Sequence, residues 1–100
     1  MEGSELVAAV GRLLQQNRSP QAAADLLRRD LRHTIEDRLG VPHDAPPDVA
    51  VDLVVDRTGL DPRTVALAVE ATHVQDEGDL VEVAHSIDLI RAEVLHGRRT

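Results

Sequence analysis

Apolar positions along this chain recur at helical spacing and fall into five runs separated by turn chemistry. After Ser4, a good N-cap followed by Glu5, the residues Leu6, Val10, Leu13 and Leu14 share one face of an amphipathic helix that reaches about Asn17. Ser19-Pro20 then supplies a second cap and a first-turn proline. Ala23, Leu27, Leu31, Ile35 and Leu39 follow at four-residue steps until Gly40. Val41 stands where the hydrophobic contact of a Schellman motif falls, and Pro42 blocks continuation.

A linker from His43 leads to a third run between Pro47 and Thr58, with Asp44 or Asp48 available as its cap. Its Val49, Val51, Val54 and Val55 are β-branched and would also suit a short strand, but Gly59 at its end argues for a helix. Asp61-Pro62 opens a fourth helix whose inner face is Val65, Ala68, Val69 and Thr72, fraying near His73. Asp76 can cap the fifth, where Leu80, Val83, Ala84, Ile87, Ile90 and Val94 repeat at three- and four-residue steps up to Gly97. The pattern predicts an all-α fold: a bundle of five helices over about 4–17, 20–39, 47–58, 62–73 and 77–96, in a single domain with frayed ends at 1–3 and 97–100. Gly40, Gly59 and Pro62 are its structural corners. The second and fifth helices are the long ones and should pair, with Ile87 touching the second.

Composition narrows what such a bundle can do. The 100 residues contain no Phe, Trp, Tyr, Cys or Lys and one Met. The core must therefore be built from Leu, Val, Ile and Ala, and aromatic base stacking, aromatic cages, thiolate catalysis, disulfides and Lys Schiff-base chemistry are all excluded. No apolar run approaches the length of a membrane span, and Met1 to Val10 lacks the basic start of a signal peptide. The net charge of −7 is unevenly placed. Residues 1–43 hold six acids and six Arg, whereas residues 44–97 hold twelve acids and three Arg. The acidic half is poorly suited to facing nucleic acid, whose recognition rests on cationic neutralisation of phosphates.

Candidate chemistry is sparse. Glu70 with His73 and Glu82 with His85 have the Glu-x-x-His spacing of di-iron bundles, but the further inward carboxylates such a centre needs are missing, so no metal site or cofactor is expected. Ser86 beside His85 is the sole nucleophile–base candidate, and adjacent helical residues point in different directions. The acids Asp76, Glu77 and Asp79 around Gly78 do not match a calcium loop, and no phosphate-binding glycine loop is present. The chain is not expected to be an enzyme. Arg28, Arg29, Arg32 and Arg38 offer a partner contact on the second helix, although ordinary exposed ion pairs with Asp25, Asp30, Glu36 and Asp37 account for the same residues.

Two larger likenesses remain. Leu53 to Val65, within residues 51–69, resembles a helix-turn-helix, and DNA binding is the alternative function; its second helix offers few base-reading side chains beyond Arg63 and Thr64. Nucleic acid is accordingly not the expected partner. Leu26-Leu27-Arg28-Arg29 with Leu31, Arg38-Leu39-Gly40-Val41-Pro42, Arg57-Thr58-Gly59-Leu60-Asp61-Pro62 and the closing helix Leu80 to Val94 together resemble the C-terminal cytoplasmic region of a bacterial membrane-protein family of unknown function. That family is common in actinobacteria and is encoded beside MoxR-type AAA ATPases. The resemblance spans roughly residues 4 to 96. It implies a helical tail behind membrane spans and an extracytoplasmic domain, in a locus that assists assembly or maturation of other proteins. This chain would be an excised tail or a free-standing relative, cytoplasmic, at the membrane face when part of a longer protein, with a protein partner and a non-enzymatic interaction role. The matching residues are capping and core residues, so no site carries over with them.

Overall fold

The computed structural model describes residues 3–17, 19–70 and 73–96, with the side chains of residues 3–6 and of His96 left out. Five helices follow one another: α1 (Gly3–Gln16), α2 (Pro20–Leu39), α3 (Pro47–Thr58), α4 (Pro62–Val69) and α5 (Glu77–His96). The described residues contain no strand, so the valine-rich third segment takes the helical alternative.

Local chemistry explains most of the boundaries. The Ser19 hydroxyl accepts from the Ala22 amide at 3.1 Å, with Pro20 at the first helical position. At the far end of α2, Gly40 turns left-handed at φ 72°. Its N–H donates to the Glu36 carbonyl at 3.1 Å, and the Val41 N–H donates to the Ile35 carbonyl at 3.3 Å. Val41 is fully buried behind this turn. Gly59 ends α3 in the same conformation at φ 76°, and Asp61 with Pro62 starts α4 two residues later. Asp76 caps α5 by accepting from the Asp79 amide at 2.9 Å, and the Asp79 carboxylate answers by accepting from the Gln75 amide at 3.0 Å.

Three boundaries differ from expectation. The first helix already includes Gly3, so its described start lies one residue ahead of Ser4. α3 is preceded by Pro46, with no side-chain cap from Asp44 or Asp48; Asp48 instead sits in the first turn, where its charge complements the helix dipole. α4 stops at Val69, because Glu70 is extended at φ −78°, ψ 145°. The chain must leave the helix there to bring Val74 into the core, where the Val74 amide donates to the Gln21 side-chain oxygen of α2 at 2.8 Å. Thr72, assigned to the inner face of α4, Gly97 at the end of α5 and residues 1–2 and 97–100 of the ends expected to fray lie outside the described residues, as does the Leu6 side chain; Gly3, the remaining residue of those ends, is helical.

The core has α5 at its centre. Its most extensive interface is with α2, and it also packs on α4, α1 and α3. Leu80, Val83, Ala84, Ile87 and Ile90 are buried along its stripe, facing Ala23, Ala24, Leu31 and Ile35 of α2, Val65, Ala68 and Val69 of α4, and Val10 of α1 in one cluster. Ile87 is only 2% exposed. A core without rings fits because small aliphatics let helices approach closely.

Candidate functional site

The four arginines of α2 do not make one patch. Arg29 and Arg38 are exposed, but nine positions amount to about two and a half turns, which places them on opposite sides of the helix. Arg28 is only 6% exposed, and its guanidinium donates to the Leu67 carbonyl of α4 at 2.9 Å. Burial lowers its pKa from the usual arginine value, with Asp25 opposing that shift. Leu67 is among the last four residues of α4, whose carbonyls lack an intrahelical donor. Arg28 therefore caps α4 from a neighbouring helix, and its charge suits the negative end of the α4 dipole. Its role is architectural, and Arg29, Arg32 and Arg38 are left without it.

The paired Glu-x-x-His motifs also separate. Glu70 ends α4 in an extended conformation and His73 lies beyond the helix, so the two do not share a helical turn. Glu82 and His85 are both on α5 and both exposed, outside its buried stripe. Ser86 is buried, with its hydroxyl donating to the Val83 carbonyl at 2.8 Å, whereas His85 points to solvent. The α3–α4 corner has the expected helix-turn-helix order, but α4 is eight residues long and exposes only Pro62 and Arg63. Its other faces pack on α3, α5 and α2.

Two features did not emerge from the sequence. The first is an apolar groove of about 570 Å³ between α1 and α5, with Ala8, Ala9 and Leu13 on one wall, Ala84 and Ile87 on the other, and Leu27 of α2 between them. Arg12, Arg91 and Asp88 stand at its rim. On a chain of net charge −7, two arginines to one aspartate make this rim locally basic. The second is a cluster of His33, Glu36 and His43. The first two are one turn apart on α2, and the third is returned over that turn by the Gly40–Pro42 corner. The His33 and His43 rings stack at 4.6 Å, and His43 Nδ1 lies 3.9 Å from Glu36 Oε1. The sequence signal was present in His33-x-x-Glu36 and the chain-reversing Gly40-Val41-Pro42, but the third member becomes a neighbour only through the left-handed glycine.

The geometry defines an all-helical domain with a basic-rimmed apolar groove. Over 96 residues, 96% of its length, the chain is 32% identical to part of an uncharacterized membrane protein of Mycobacterium tuberculosis, and it spans 25% of that protein. No protein-family model matches the chain, and no solved structure matches it. No helix among the described residues is long and apolar enough to cross a membrane. The chain is therefore similar to a membrane protein in a segment that, in this structure, folds as a bundle of five helices.

Proposed function

We propose that this chain is a non-enzymatic protein-interaction domain, the non-spanning cytoplasmic part of a longer membrane protein of the kind encoded beside MoxR-type ATPases, and that it docks its partner in the α1–α5 groove. The observation that carries the reading is the alignment of almost the whole chain with one quarter of a membrane protein, while none of the described helices has the character of a span. The groove supports the docking step. Its small side chains, Ala8, Ala9 and Ala84, permit close approach of a backbone, and the half-buried Leu13 and Leu27 offer apolar contact. Arg12 and Arg91 favour acidic side chains at the edge of the incoming segment. The occupant is therefore an apolar segment of a partner protein flanked by Asp or Glu.

The test uses the full-length membrane protein carrying this domain. Photo-crosslinking from the exposed position Ala8 should yield one discrete adduct, and Arg12→Glu should abolish that adduct without lowering the melting midpoint of the domain. A fused topology reporter should place the domain on the cytoplasmic side. Absence of an adduct from Ala8, or one indifferent to Arg12→Glu, would overturn groove docking. A gel shift whose affinity falls steeply with salt would instead favour the helix-turn-helix alternative.

A further inference from the structure

The His33, Glu36 and His43 cluster has the composition and placement of a small metal centre. Each residue offers one ligand atom, and these atoms lie within 4.8 Å of one another. Two imidazoles and a carboxylate suit borderline divalent ions, zinc above all, and are a poor match for the all-oxygen shells of magnesium and calcium. A tetrahedral ion with bonds of ordinary length holds its ligand atoms about 3.3 Å apart, so closure requires a contraction of at most about 1.5 Å. All three side chains are exposed, His43 at 44% and Glu36 at 46%. Rotation about their outer torsions meets little packing resistance, and terminal imidazole torsions are intrinsically broad.

The backbone beneath them is held. His33 and Glu36 are one turn apart in a helix with buried Leu31 and Ile35, and Glu36 itself supplies the carbonyl that accepts from Gly40. Beyond Gly40, Val41 is fully buried and the Ala45 amide donates to the Pro42 carbonyl at 3.1 Å, which fixes the turn that carries His43. A third ligand brought in by a specified corner distinguishes this cluster from the exposed Glu82 and His85 pair, which gains no third ligand among the described residues.

We propose that His33, Glu36 and His43 form a binding site for a divalent ion of the zinc class, with water in the remaining coordination position. Binding ties the last turn of α2 to the connector that leads into α3. Because the ion binds the folded arrangement, it raises the thermal midpoint.

The experiment is calorimetric titration of the tag-free chain, stripped with a chelator, against ZnCl2 and separately against MgCl2. One Zn2+ should bind per chain with micromolar affinity, and Mg2+ should bind far more weakly. His33→Ala and His43→Ala should each weaken Zn2+ by about tenfold or more, whereas His73→Ala and His85→Ala should leave it unchanged. The metal-free melting midpoints of the His33 and His43 variants should lie close to the parent's, because both side chains are exposed and lose only their contacts with one another and with Glu36. Equal affinity for Zn2+ and Mg2+, a midpoint indifferent to zinc, affinity unaffected by the His33 and His43 substitutions, or half an equivalent bound with dimerisation would each overturn the site.

Discussion

Gly40 and Gly59 stand at φ 72° and 76°, and a Cβ built on either meets nothing within 4 Å. The requirement for glycine there is conformational, since open space surrounds the position and only the left-handed backbone disfavours a side chain. Gly40→Ala and Gly59→Ala should each lower stability by about 1 kcal/mol, read from the urea midpoint, while Asn should cost less than Ala because it tolerates that conformation better. A neutral alanine variant would show that the corner relaxes to another turn. Arg28 makes a second argument at this scale. Arg28→Ala removes a charged donor from a part-buried carbonyl and should cost about 1.5–3 kcal/mol by the same measurement. Arg28→Met keeps much of the stem's packing and should cost less. Equal loss in the two variants would assign the effect to the guanidinium, and no loss in either would show that water replaces it at Leu67.

Helices whose ends carry their own chemistry were readable from the sequence, and those whose ends are set by distant partners were not. α2, α3 and α5 run over the residues that their prolines, glycines and the Asp76 cap specify. The early end of α4 was hidden because it is set by the burial of Val74 and its hydrogen bond to Gln21, 53 residues away. Arg28 was misleading for a related reason. It lies four residues after Ala24 and three before Leu31, on the inner face by helical period, yet a charged residue reads as surface until the carbonyl it caps is known. The long α5 stripe carried no such ambiguity. Ile87 lies within it, lining the groove together with Leu27 of α2. Ile87→Ala should cost about 2–5 kcal/mol in the denaturation midpoint, the range for emptying a core aliphatic site. A change well below 1 kcal/mol would mean that α1 and α2 close over the vacated volume.

Across the whole molecule the burial is uneven, and that unevenness bears on the proposed docking. α2, α3, α4 and α5 each contribute several buried side chains to the shared cluster. Among the described side chains, α1 contributes Val10 alone, with Leu13 and Leu14 half-buried and Val7 49% exposed. Its contacts are chiefly with α5 and only slightly with α2. Helices with few buried apolar contacts open at lower free energy than the global transition. α1 should therefore exchange its amide hydrogens faster than α2 and α5 under native conditions, and Val10→Asp should release α1 while the rest of the chain still melts cooperatively. Because α1 is one wall of the groove, occupation by an apolar segment would add the contacts that α1 lacks, and exchange in α1 should slow on partner binding more than anywhere else. If α1 instead exchanges only through global unfolding, the groove is a rigid part of the core and docking draws nothing from α1 ordering.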